Sequence, residues 1–178
     1  VKPTGLGEYV VRSDTTINAA AGFLPATNPV AVNAKSDLTA RFQETENLTI
    51  YGNVGTVTVD VNGGSTAKEV SASINAVQGT TGVYSTAQTR MNVSFADQAS
   101  ATSDTVMFNL YGKNDSAVQI AANVSFGITN GRSTDLTSLA GAINGTTGKT
   151  GITATLDTSK SKMTLLSNEG YDIVLEDY

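Results

Sequence analysis

The chain has 178 residues, of which 39% are hydrophobic and 15% charged, enough to bury a core in one domain or two small ones. Its net charge of −5 offers no basic surface to neutralise phosphates, which excludes nucleic acid as an expected partner. With no cysteine and no histidine there can be no disulfide, thiolate nucleophile, zinc–thiolate centre or imidazole base, and no apolar run approaches the roughly 20 residues of a membrane span.

Val1 to Glu46 is weakly patterned: Glu8–Arg12 reads as a short strand, and Phe23–Leu38, with two prolines, as a surface connection. The pattern sharpens from Leu48, and in Thr56–Val61 the residues Val57, Val59 and Val61 alternate with Thr56, Thr58 and Asp60 as in a half-buried strand. Asn62-Gly63-Gly64 ends it. Thr66-Ala67-Lys68-Glu69 fits a capping box, and Ala67, Val70, Ile74 and Val77 form one apolar stripe, so the spacing predicts a helix over 66–77. Gly79–Gly82 should break that helix. A strand from Val83 follows, and then a further one carrying Met91, Val93 and Phe95.

Thr105–Tyr111 reads as a strand with its turn at Lys113–Asp115. Val124–Ile128 alternates, Asn130–Arg132 turns, and Asp135 can cap a second helix over 135–144 whose stripe is Leu136, Leu139 and Ile143. Gly145–Gly151 breaks it. Ile152–Leu156 and Lys162–Ser167 then form a hairpin around Asp157–Ser161, and Tyr171–Tyr178 supplies a last strand with Ile173 and Leu175 on one face. The fold class expected is α+β, mainly antiparallel strands with two short amphipathic helices. Its unit is strand, helix, strand, strand, written twice: residues 47–100 and 101–178, packed separately or as one domain, behind an irregular segment 1–46.

The duplication can be measured. Ile74 and Ile143, Asn75 and Asn144, and Gly82 and Gly151 are each 69 residues apart, without a gap. Ile74 and Ile143 complete the apolar stripes. Asn75 and Asn144 fall near helix ends, where Asn takes a left-handed conformation or bonds a free carbonyl. These six residues are expected to be structural.

No constellation points to catalysis, a cofactor or a metal. "TSKSKM" (Thr158–Met163) reads as a solvated hairpin tip. Glu44/Glu46 and Glu176/Asp177 lack the apolar setting that raises a carboxyl pKa. "DVNGG" and "GKNDS" lack the terminal bidentate Glu of a calcium loop. Asn-X-Ser/Thr tripeptides occur, among other places, at Asn47, Asn92, Asn123 and Asn144, as expected of so Asn/Thr-rich a chain.

"SASINAVQGTTGVYSTA" (Ser71–Ala87) and "LAGAINGTTGKTGITATL" (Leu139–Leu156) resemble the repeated IN motif of the bacterial flagellin central region, a motif shared with some hook-associated proteins. Thr150-Gly151-Ile152-Thr153-Ala154 follows the motif, whereas Thr81-Gly82-Val83-Tyr84-Ser85 departs slightly. The resemblance covers about Asn47 to Tyr178, and neither chain end shows the heptad pattern of flagellin's polymerising helices. It implies the surface-exposed outer domain of a flagellin, a secreted, extracellular structural protein of the motility filament and not an enzyme. On that resemblance the parent assembles with other flagellin subunits through segments absent here, the isolated fragment is a monomer, no membrane is a partner, and the outer surface meets antibodies or carries glycans. Two alternatives stand beside it: a hook-associated or filament-cap protein, and an adhesin or phage-tail β-domain binding glycans through some of Tyr51, Tyr84 and Tyr111.

Overall fold

The computed structural model describes residues 8–19, 46–95, 102–127 and 134–176. Its elements run β1 (Glu8–Ala19), β2 (Glu46–Tyr51), β3 (Thr56–Val61), α1 (Ala67–Ala76), α2 (Gln78–Thr81), β4 (Tyr84–Phe95), β5 (Thr102–Tyr111), β6 (Val118–Phe126), α3 (Thr137–Asn144), α4 (Thr147–Thr150), β7 (Ile152–Leu156), β8 (Lys162–Ser167) and β9 (Val174–Glu176). The architecture is α+β, mainly antiparallel. β2 and β3 pair as a hairpin; β6, β5 and β9 form a three-stranded sheet in that order; β1, β4, β8 and β7 form a four-stranded sheet in that order. The exception to antiparallel pairing is β1, which runs parallel to β4 over its full length, Glu8 opposite Tyr84 through Ala19 opposite Phe95.

Two hydrophobic clusters result. The smaller gathers Ile50, Val59 and Val61 from the hairpin with Val70, Ile74 and Val83. The larger packs Leu136, Leu139 and Ile143 of the second helical segment against β5, β6, β7 and β8, with Phe108, Ile120, Ile152 and Leu165 almost fully buried. β4 runs between them: Val83, just before it, belongs to the first, and Met91, Val93 and Phe95 belong to the second. The Phe95 ring meets Phe126 edge-on at 5.5 Å, an orientation that suits the quadrupoles of both rings. The loop after β8 also reaches the first helix: the Lys68 amide donates to Gly170 O at 3.1 Å, and the Lys68 ammonium lies 3.8 Å from the Tyr171 ring centre and 3.4 Å from Glu169 Oε2.

Several elements differ from the pattern read along the chain. The Gly79–Gly82 and Gly145–Gly151 stretches, expected as breaks, each hold a one-turn helix, because Thr80 and Thr81 donate to Val77 O while Lys149 and Thr150 donate to Thr146 O. α3 starts two residues late. The Asp135 amide is committed to Ser125 O at 2.8 Å, which keeps that residue extended, and its carboxylate caps from outside by accepting from the Thr137 amide at 2.8 Å. The two strands expected between Val83 and Phe95 are one continuous β4, and the strand expected from Val124 begins at Val118. Of the last strand expected over Tyr171–Tyr178, residues 171–173 are not strand, β9 occupies Val174–Glu176 and is buried on both faces, and residues 177–178 lie outside the described residues. The Phe23–Leu38 connection and the Asn130–Arg132 turn lie outside the described residues.

Ile143 is fully buried and Ile74 is 5% exposed. Ile143→Asp should therefore cost about 3 kcal/mol or more, because a carboxylate would enter an apolar cluster without a partner. Ile74→Asp should cost less, since its cluster is smaller. Chemical denaturation of both variants checks the order; equal or negligible losses would overturn it. A second expectation concerns pH. The Thr137 hydroxyl, then the Thr137 amide, hold the Asp135 carboxyl below the usual carboxylate range. A depressed folded-state pKa gives stability that is present above the ordinary value and lost as pH falls through the folded one. Asp135→Asn should thus flatten the acid limb of a Tm-against-pH curve; an unchanged limb would remove Asp135 from the account.

Candidate functional site

The six residues singled out by the repeat come together as two local constructions, one at each helix end. Asn75 lies in the last turn of α1, and its side-chain amide faces the start of β4: Nδ2 donates to Ser85 O at 2.9 Å, and Oδ1 accepts from the Ser85 amide at 2.7 Å. Asn144, the last residue of α3, does the same to β7, donating to Ala154 O at 2.9 Å and accepting from the Ala154 amide at 2.7 Å. An Asn side chain carries one donor group and one acceptor at the spacing of a peptide unit, so each Asn replaces one rung of a β-ladder. Neither Asn adopts a left-handed backbone, since Lys160 is the sole non-glycine residue with positive φ among the described residues. The expected bond to a free carbonyl is made, but to a strand ten residues on and not to the helix's own terminus.

Ser71 adds a bond in the first copy alone, its hydroxyl donating to Ser85 O at 3.0 Å; Ala140 stands at the matching place in the second. Below each Asn, the one-turn helix closes on a buried threonine. The Thr81 hydroxyl donates to Val77 O at 3.0 Å and accepts from the Val83 amide at 3.2 Å; the Thr150 hydroxyl donates to Thr146 O and accepts from the Ile152 amide, both at 3.2 Å. Gly82 (φ +72°) and Gly151 (φ +70°) then reverse the chain into the strand, a left-handed conformation that favours glycine.

The threonine carbonyls point outward to a hairpin turn. Thr81 O accepts from the Val54 amide at 3.3 Å, and Thr150 O from the Lys113 amide at 2.9 Å. Gly52 and Gly112 sit against those same carbonyls, so close that an added Cβ would overlap them at 1.7 and 2.2 Å. The two threonines were legible in the repeat, since both precede the paired glycines at the 69-residue offset. Gly52 and Gly112 were not: they are 60 residues apart, because the segment between hairpin and helix differs in length in the two copies.

What this arrangement can do is mechanical. It ties a helix end, a strand start and a hairpin turn together through paired backbone groups. Among the described residues no group of three or more acidic side chains could hold a metal ion, and no helix is long and apolar enough to cross a membrane.

Asn144→Ala should destabilise by about 1–3 kcal/mol, because both Ala154 backbone groups lose their partner. Asn144→Asp should keep the bond from the Ala154 amide but set a carboxylate against Ala154 O, so its deficit should shrink at acid pH, where a protonated carboxyl can donate. Urea melts at neutral and acid pH check both, and an Asp variant as stable as the parent at neutral pH would refute the clamp. Gly112→Ala should be strongly destabilising, whereas Gly79→Ala, with nothing within 4 Å of the new Cβ, should be neutral or mildly stabilising. Similar melting temperatures for these two variants would contradict the close approach.

The first of these constructions lies inside a segment with a known counterpart. Residues 47–94, from β2 to the penultimate residue of β4, match the family model described as the flagellin hook IN motif. No curated protein matches the chain. The hairpin, α1, the Asn75 clamp, Thr81 and Gly82 all fall within the match, and this similarity supports a flagellin-related protein.

Proposed function

We propose that the chain is the outer, surface-exposed domain of a flagellin subunit, a structural part of the bacterial flagellar filament with no catalytic role. The observation that carries this reading is the match over residues 47–94 to the flagellin hook IN motif. The second construction, at Asn144 and Gly151, supports reading 139–156 as another copy of the motif, because it repeats the same four clamp and threonine bonds. The longest helix among the described residues is α1, with ten residues. That is too short for a coiled-coil seam, so filament contacts would come from other segments of a parent protein. The isolated chain would then be a monomer that displays a Thr/Asn-rich, acidic surface outside the cell, open to antibodies and glycans.

A second reading, a hook-associated or cap protein, is favoured by the matched family itself, whose description names the hook. One experiment separates the two. Antibodies raised against the purified chain, applied to flagella of the source bacterium under the electron microscope, should decorate filaments along their length. Label confined to the hook junction or the filament tip would favour the hook-associated reading, and no flagellar label would overturn both. The monomer expectation is checked by light scattering of the purified chain, where concentration-dependent fibres would refute it.

A further inference from the structure

The chain contains Asn-Gly pairs in two described and opposite settings, Asn62-Gly63 and Asn144-Gly145; a third, Asn130-Gly131, lies outside the described residues. Asn-Gly is the dipeptide in which a backbone amide most readily attacks the preceding side chain, since glycine carries no Cβ to hinder the approach. Asn62 follows β3 and opens a β-turn closed by Ser65 N to Asn62 O at 3.1 Å, with Gly64 at φ +82°. Both Asn62 and Gly63 are exposed and line an open cleft of about 340 Å³ with Asp60, Ser65 and Glu69. Neither the Asn62 side-chain amide nor the Gly63 N–H has a hydrogen-bond partner among the described residues. Gly63 adds no Cβ beside the Asn62 side chain, so nothing on that residue blocks its approach.

Asn144-Gly145 has the same chemistry and none of the freedom. Both atoms of the Asn144 amide are held by the Ala154 backbone, at 2.9 and 2.7 Å. The Gly145 N–H, which would supply the attacking nitrogen, is bonded to Gly141 O at 2.9 Å in right-handed helical backbone, φ −61° and ψ −20°.

We propose that Asn62 is a site of spontaneous deamidation in the folded protein and that the clamp shields Asn144 from the same reaction. The deprotonated Gly63 nitrogen attacks Asn62 Cγ; the Cγ–Nδ2 bond breaks and ammonia leaves, giving a five-membered succinimide. Water then adds to either imide carbonyl and opens the ring to aspartate or isoaspartate. The net change is one water consumed and one ammonia released. The new carboxylate joins Asp60 and Glu69 at the rim of the cleft and makes the chain one charge more negative.

The test is ageing of the purified chain at 37 °C in mildly alkaline buffer, with the same chain in concentrated urea as the reference for sequence alone. Peptide mass mapping and an isoaspartate assay read each site. In urea both sites should convert at comparable rates. In the native protein Asn62 should convert at close to the urea rate, while Asn144 should be slowed at least about tenfold, because it reacts only through local opening. Gly63→Ala should slow conversion at Asn62, and Asn75→Ala, which weakens the other clamp, should leave Asn144 protected. The proposal is overturned if native Asn62 stays intact while the urea reference converts, or if native Asn144 converts as fast as Asn62.

Discussion

A strand that begins beneath a helix has a backbone N–H and C=O that no neighbouring strand can reach, and each would cost free energy if buried alone. At Ser85 and at Ala154 that pair is satisfied by one asparagine side chain. Much else follows from this constraint. The Asn must stand in the last turn of its helix, ten residues before the strand position it serves, the intervening chain must turn within one helical turn, and a glycine must accept a positive φ to re-enter the sheet. The buried threonine fills the space inside that turn and bonds both its entry and its exit. Gln is one methylene longer and an ionised Asp lacks the donor, so at neutral pH neither could stand in for Asn here.

The two copies are nevertheless not independent bodies. β8, which follows β7 in the second half, pairs with β7 on one side and with β4 on the other, Met91 opposite Leu165 and Leu165 opposite Ala154. The same four-stranded sheet therefore serves both helical segments. β4 carries side chains for the larger cluster on its second half, while its start is pinned by the first clamp. Lys68 and Gly170 fasten the loop after β8 back to the first helix. Loosening either end of β4 reaches both clusters.

Much of this was legible in the chain. The helix of residues 67–76 was signalled by its capping box, which forms as written, with the Glu69 amide bonded to the Thr66 hydroxyl at 3.1 Å and Glu69 Oε2 accepting from the Thr66 amide at 2.7 Å. The β7–β8 hairpin was signalled by its alternation and by the polar residues between. Less legible was anything depending on partners distant in sequence. β6 begins six residues before the alternating stretch because Ile120 faces the core but Ala122, next on that face, is too small to mark the period. Tyr84–Phe95 read as two strands, since Ala87, Gln88 and Thr89 interrupt the apolar pattern where β4 passes from one cluster to the other. In the clamp, the repeat located Asn75 and Asn144 but not what they hold, because a bond to backbone leaves no signature in the residue it reaches. The parallel pairing of β1 with β4 is equally a matter of topology and left no local mark.

The register of the shared sheet sets a geometry for the duplication. The second clamp grips Ala154, which stands level with Met91 through Leu165. The first grips Ser85, six residues earlier on β4. At about 3.3 Å per residue the second copy is displaced from the first by roughly 20 Å along the strand direction. The second half also widens the sheet, adding β8 and β7 beside the β1–β4 pair. The step is diagonal, along the strands and across two of them, so the two helices rest on different strands of one sheet, the first against β4 and the second against β7, and neither has to cover the other's footing.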